Sequence, residues 1–244
     1  RVITKAKRVY IAGDDDQAIY RWAGARPEFL MNMDGTRTIL NKSYRLAESI
    51  HAKANKLIKR VKDRVDKEWT ARDEKGQVNI HPVEQLQKMK QGQWLILARD
   101  GYRLDKLEDE LKIYGYFYER GDRTSINKRV HEAILAWEDI RKGKELDIKR
   151  VKSFYSYIKI NTGVDKKFKG MANVDKDKMF TFDMLRDSYG LKLDKELPWF
   201  KALENIESTK KTYVRMCLRR KENIRRAPRI KLSTIHGSKG GEAD

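Results

Sequence analysis

The apolar run Val9-Tyr10-Ile11-Ala12 stops abruptly at Gly13 and three consecutive aspartates, Asp14, Asp15 and Asp16. A short β-branched and aromatic run cut off by glycine and an acidic cluster predicts a buried strand that delivers polar groups to a loop at its carboxyl end. Open α/β sheets place ligands there. The same loop then offers an amide, Gln17, two aromatic rings, Tyr20 and Trp22, and a cation, Arg21. One segment can therefore face a phosphate and a stacked base together. Taken singly, each residue has an ordinary explanation, since a glutamine is usually solvated and a tryptophan is usually core.

Strand, polar loop and amphipathic helix recur down the chain. Pro27-Glu28-Phe29-Leu30 predicts the start of a short helix, because proline suits a first helical turn. Thr38-Ile39-Leu40 predicts a strand and Asn41-Lys42-Ser43-Tyr44-Arg45 a polar loop, and Leu46, Ile50, Ala54, Leu57, Ile58 and Val61 mark one face of a helix. A charged loop follows over 62–76. Further strands are expected at Val78-Asn79-Ile80-His81-Pro82-Val83, at Trp94-Leu95-Ile96-Leu97-Ala98-Arg99 and at Tyr114-Gly115-Tyr116-Phe117-Tyr118-Glu119. Helices are expected at 84–91 and along the stripe Leu104, Leu107 and Leu111. Strands alternating with helices imply an α/β fold, a parallel sheet with right-handed crossovers.

The character changes near residue 126. Ile126, Val130, Ala133, Ile134, Trp137 and Ile140 define an amphipathic helix with Asp122, Thr124 or Ser125 as its cap. From Arg141 to about Pro228 there is little β signal. This stretch reads as a helical insertion ending in a basic run, from Lys210 and Lys211 through Arg215, Arg219, Arg220, Lys221, Arg225, Arg226 and Arg229 to Lys231, with Glu222 alone against it. Arg215, Arg219 and Arg226 fall near one helical face, and Met216 and Leu218 are expected to face a core. Such a run serves phosphate binding or is simply a solvated face. The strand Ile230-Lys231-Leu232-Ser233-Thr234 then empties into His236-Gly237-Ser238-Lys239-Gly240, where small residues let backbone N–H groups approach an anion.

The 244 residues carry a net charge of +19, which favours a polyanionic partner such as nucleic acid over an acidic small molecule, although ribosomal and membrane-surface proteins share that balance. Cys217 is the only cysteine, which excludes an intramolecular disulfide and any cysteine-based zinc cluster. A reducing interior is the expected compartment, the cytoplasm of a bacterial cell or of a phage-infected host. No apolar run approaches the roughly 20 residues that cross a bilayer, and no membrane partner is expected. A chain that opens on Arg1 and closes on Gly241-Glu242-Ala243-Asp244 reads as a fragment of something longer.

Gly13 to Ala25, GDDDQAIYRWAGA, closely resembles motif III of the superfamily 1 helicases of the UvrD/Rep/PcrA type, with Ala23 where that family usually has arginine. Leu40 to Ile50, LNKSYRLAESI, resembles their motif IV, and Thr234 to Glu242, TIHGSKGGE, their motif V, with Gly241 and Ala243 departing from the usual leucine and aromatic. The resemblance implies a RecA-like parallel sheet domain interrupted by a helical insertion. Residues 1–34 would be the carboxyl edge of a first RecA-like domain and 35–128 the first part of a second. Residues 129–228 would be the accessory insertion, and 229–244 the return strand with motif V.

It implies ATP as cofactor with Mg²⁺, whose ligands are expected outside this chain. Gln17 would sense the γ-phosphate and Arg45 would reach it, as suits a planar, permanently charged guanidinium. Tyr44 would stack on adenine and Glu242 would hold the ribose. Tyr20, Arg21 and Trp22 would meet single-stranded DNA or a single-strand/duplex junction, with Thr234, His236 and Lys239 on the DNA-facing side. The implied activity is ATP-driven translocation and unwinding, 3′ to 5′, alongside repair or replication proteins. No G-x-x-x-x-G-K-[ST] occurs in the chain. The chain by itself is therefore expected to hydrolyse ATP negligibly. Two other readings stay open, a non-catalytic nucleic-acid-binding module and a helicase–nuclease fusion.

Overall fold

A computed structural model describes residues 7–81, 89–172, 174–175 and 177–239. The chain divides into two compact units, Arg1–Val83 and Glu84–Asp244.

In the first unit, two 3-10 turns, Asp15–Gln17 and Arg21–Ala23, precede a one-turn helix α1 (Glu28–Met31) that begins at Pro27 as expected. Helix α2 (Glu48–Ile58) forms where the stripe predicts one, but Leu46 and Val61 lie outside it and Ile50 and Leu57 are exposed, so the stripe is not a buried face. The expected strands do not form. Residues 8–12 have irregular backbone and Tyr10 is 89% exposed, and Thr38-Ile39-Leu40 is likewise irregular. A strand exists only as a member of a ladder, and among the described residues nothing pairs with either run. The only bridge in this unit joins Lys42 to Thr70, among the described residues. Residues 78–81 are also irregular, while Pro82, Val83 and the helix expected over 84–91 fall largely outside the described residues. Ala47 is the single buried hydrophobic residue described in this unit, so polar contacts must carry its cohesion.

The second unit carries the parallel sheet. Strands β1 (Trp94–Ala98), β2 (Tyr118–Arg120) and β3 (Arg123–Thr124) share it with β6 (Ile230–Thr234) in the order β1-β6-β2-β3. β6 runs parallel to both β1 and β2, and β3 closes back antiparallel on β2. Helix α3 (Gly101–Ile113) packs Leu104 and Leu111 with Ala98, Tyr116, Tyr118, Ile230 and Leu232 in one core. The strand expected from Tyr114 begins only at Tyr118, because α3 ends in a left-handed cap. Gly115, at φ +70°, donates to the Lys112 carbonyl, and Tyr116 donates to that of Leu111.

A second core surrounds α4 (Lys128–Ile140) and α5 (Ile148–Tyr155), with α6 (Phe182–Ser188), α7 (Trp199–Ala202) and α8 (Ser208–Arg219) around them. Trp137 lies at its centre, edge-on to Phe154 and Phe182, its indole N–H donating to the Leu197 carbonyl at 2.9 Å. The cap of α4 is Asn127, not Asp122, Thr124 or Ser125. Thr124 belongs to β3, and the Ser125 hydroxyl is committed to the Tyr118 amide and to the Tyr213 hydroxyl. A two-residue pairing of β4 (Leu146–Asp147) with β5 (Met179–Phe180) adds a small antiparallel element within the expected helical stretch.

The basic run is largely structural. Val214 and Cys217, not Leu218, face the core from α8, and Leu218 is exposed because the helix turns that side to solvent. Arg226 lies beyond the end of α8, so it shares no helical face with Arg215 and Arg219. Arg225 pairs with Asp139, and Arg220 lies over the Tyr116 ring. Arg229 pairs with buried Glu222 at 2.6 Å and donates to the Met89 carbonyl, fastening the returning chain to the sheet.

Candidate functional site

The aspartate turn is built by a local device. Asp14 caps the turn at Asp15–Gln17 by accepting from the Asp16 amide, and its other oxygen accepts from the Gln17 side-chain amide at 2.7 Å. The three carboxylates are held from a segment about fifty residues away. Arg64 grips Asp16 with two parallel bonds of 2.9 Å, and the Val65 amide donates to Asp15 at 2.7 Å. Lys67 reaches all three, at 2.9 Å to Asp14 and 3.0 Å to Asp16, with Asp15 between. Arg64, Lys67 and Asp16 are mostly covered, and the Asp15 side chain more so.

The electrostatics follow from this packing. Burial alone pushes the Asp15 carboxyl up, but Lys67 and the Val65 amide overcome it and hold the group below the usual carboxylate range. The Arg64 fork does the same for Asp16 against its own burial, with help from Lys67. Burial works against the Lys67 charge, and the hydrogen bonds it donates to Asp15, Asp14 and Asp16 raise its pKa above the ordinary lysine value.

A depressed carboxylate contributes stability above its unfolded pKa and loses it as pH falls through the lower folded value. A raised lysine contributes below its unfolded pKa and loses it as pH climbs through the higher folded value. This unit is therefore expected to hold constant stability between about pH 5 and about pH 10 and to weaken on either side. Urea titrations across the acid limb check this: the wild-type midpoint falls on acidification, and that of Asp16→Asn, which starts lower, falls less.

The second turn presents the aromatics. Gly24, left-handed at φ +90°, closes the turn Arg21–Ala23. Trp22 is 78% exposed, Tyr20 is partly exposed, and their ring centroids are 6.3 Å apart at 57°. Arg21 forms an ion pair with Glu28 at 3.0 Å. Downstream, the Ser43 hydroxyl accepts from the Arg45 and Leu46 amides and folds the loop so that Tyr44 stands 80% exposed, with the Lys42 ammonium 5.8 Å from its ring centroid. Arg45 is exposed beside it.

Arg64 and Lys67 carry no signal of their own in the sequence, where 62–76 looks like a charged loop. That loop is a strap. Its Arg64 and Lys67 bind the aspartate turn, while its Thr70 donates to the Asn41 carbonyl and accepts from the Ser43 amide, each at 2.8 Å. One segment therefore holds both the Gln17 turn and the Tyr44–Arg45 loop.

In the second unit, Thr234 ends β6 and its hydroxyl accepts from the Gly237 amide at 3.0 Å, while the Ser238 amide donates to the Thr234 carbonyl. A Cβ at Gly237 would lie 2.9 Å from the Ser233 hydroxyl, so the turn requires a glycine there or a shift of that side chain. His236 is half-buried in this turn and Lys239 is exposed. Glu242 lies outside the described residues. Gln17, Tyr20, Arg21, Trp22, Tyr44 and Arg45 are thus in the first unit, and Thr234, His236 and Lys239 in the second. Among the described residues no group of three or more His, Cys, Asp or Glu is set to hold a metal, and no helix is long and apolar enough to cross a membrane.

The model of the UvrD/REP helicase N-terminal domain matches residues 1–38. Among curated relatives, DNA helicase II of Salmonella typhimurium is 44% identical over 69 residues, which cover 26% of this chain and 10% of the relative. DNA helicase II of Haemophilus influenzae is 40% identical over 76 residues, covering 30% of this chain and 10% of the relative. The ATP-dependent DNA helicase PcrA of Staphylococcus aureus is 26% identical over 188 residues, covering 71% of this chain and 24% of the relative. The chain thus spans between a tenth and a quarter of the length of these relatives. No solved structure matches it.

Proposed function

From a chain that is a relative of the UvrD/PcrA-type DNA helicases, we propose that these two units serve an ATP-driven motor that moves 3′ to 5′ along single-stranded DNA and unwinds duplex ahead of it. The observation that carries this reading is the strap: one segment holds the Asp15–Gln17 turn, just ahead of the turn that bears Tyr20 and Trp22, and also the loop bearing Tyr44 and Arg45. Exposed rings beside cations are what a base stack and a phosphate backbone need.

MgATP, when bound, would supply the free energy of its hydrolysis to ADP and phosphate. On this chain, Gln17 offers an amide to the terminal phosphate and Arg45 a guanidinium to the charge that grows there, while Tyr44 offers its face to adenine. Glu242 is proposed to take the ribose hydroxyls. Tyr20 and Trp22 stack on bases, Arg21 lies beside them, and Thr234, His236 and Lys239 take the DNA side of the second unit. The layout supported by the motif order is a first RecA-like edge over 1–34, a second RecA-like domain over 35–128 and 229–244, and the insertion over 129–228.

Fluorescence anisotropy with a labelled oligothymidine tests this directly. The chain is expected to bind single-stranded DNA, and affinity should fall on the order of tenfold as salt rises from about 50 to about 200 mM. Trp22→Ala should weaken it several-fold, by loss of one stacked base. With no phosphate-binding loop in its sequence, the same preparation should turn over ATP negligibly. Failure to bind the oligonucleotide at low salt, or unchanged affinity in Trp22→Ala, overturns the reading.

A further inference from the structure

β1 and β6 are neighbours in register, Ala98 beside Thr234, and the Ile235 amide donates to the Ala98 carbonyl at 3.0 Å. Both chains therefore leave the sheet at the same edge. After Thr234 comes the turn with His236 and Lys239. After Ala98 come Arg99, Asp100, the N-cap of α3, and then the first helical turn with Tyr102 and Arg103. The edge thus combines two loops rich in cations, only one of which bears residues assigned above.

Tyr102 is the unexplained residue at this edge. α3 buries Leu104 and Leu111 and packs Leu107 against them, whereas Tyr102 points away and is 67% exposed. One turn along the helix, the Lys106 ammonium lies 4.6 Å from its ring centroid, within cation–π range. The carboxylates nearby already have partners: Asp100 is bound by Arg103, and Asp105 and Glu108 by Arg120. An exposed ring costs free energy in water, and here the Lys106 ammonium lies against it near the carboxyl edge of a parallel sheet.

We propose that Tyr102 is a stacking post for a base of single-stranded DNA, with Lys106 and Arg99 placed for the phosphates on either side of that nucleotide. A nucleobase offers the flat face the ring needs, its phosphate offers the charge the cations need, and an unpaired strand, unlike a duplex, offers both at one point. The inference rests on the reading that this chain binds single-stranded DNA, and it adds a contact in the second unit independent of Tyr20 and Trp22.

The test is photocrosslinking of the full chain to oligothymidine carrying 5-iododeoxyuridine, with peptide mapping, alongside anisotropy on Tyr102→Ala and Tyr102→Phe. The wild-type chain should crosslink through the peptide that holds Tyr102. Tyr102→Ala should lose that crosslink and weaken binding roughly tenfold, while Tyr102→Phe, which keeps the ring, should retain both. Because Tyr102 is solvent-exposed, thermal melts of both variants should overlay the wild type. Wild-type affinity in Tyr102→Ala, with crosslinks only at Tyr20 or Trp22, overturns the stacking post and leaves single-strand binding standing. A loss that Tyr102→Phe does not restore overturns stacking as its cause, as does equal dependence on Tyr102 for blunt duplex. No retention of single-stranded DNA by the wild type overturns this inference and the reading beneath it together.

Discussion

Trp137→Ala is expected to cost the second unit about 3–5 kcal/mol, the range for deleting a fully buried large aromatic. The indole packs edge-on against Phe154 and Phe182, and its N–H satisfies the half-buried Leu197 carbonyl, so truncation opens a cavity and leaves that acceptor short of its donor. Domains hold only about 5–15 kcal/mol in total, so the loss removes a large share of that margin. The readout is the urea midpoint by far-UV circular dichroism. Trp22→Ala is the control: its ring stands in solvent, and its midpoint should move by less than about 0.5 kcal/mol equivalent. Equal midpoints for wild type and Trp137→Ala would contradict the packing described.

Lys67→Met should do comparable damage in the first unit, by a different route. It removes the ammonium shared by Asp14, Asp15 and Asp16 and leaves like charges crowded in one turn. Breaking a buried ion pair costs about 3–5 kcal/mol, and because the Lys67 side chain keeps 16% of its surface in water, about 2–3 kcal/mol is expected here. With one buried hydrophobic residue described in that unit, there is little packing to absorb the loss. Amide hydrogen exchange over residues 14–20 should report it as faster opening. Adding Asp15→Asn should recover part of the protection, since it removes one of the charges left without a counterion. No recovery would mean that the carboxylates left without Lys67 are not what loosens the turn.

What could be read from the sequence divides along a physical line. α3, α4 and β6 were legible because each carries its own period and buries that face within its own unit; β1 was legible as an apolar run, although Trp94, Leu95 and Leu97 stand exposed. Residues 8–12 and 38–40 show the same apolar pattern yet form no ladder, because period reveals which side of a strand is apolar and not what it pairs with. Thr124 and Ser125 are good cap residues by type, but β3 and the Tyr213 hydroxyl claim them, and Asn127 caps instead. Tyr20, Trp22 and Tyr44 stood out by type, being aromatics among turn-forming polar residues. Arg64 and Lys67 did not, since an ion pair spanning about fifty residues leaves no local trace.

The position of β6 has a consequence for how the molecule is made. β1 and β2 are close in sequence, but they are not neighbours; the strand that joins them arrives only at Ile230. During synthesis both must wait with unpaired edges while the helical stretch between them is translated. That stretch has its own core around Trp137 and can condense first and carry β6 back on its last helix. The closing step then brings together segments separated by most of the second unit, so refolding should show a slow phase in which helices precede the sheet. Until residue 234 has emerged, β1 and β2 each present an edge that β6 will later cover, and that is when the nascent chain is most open to pairing with another strand.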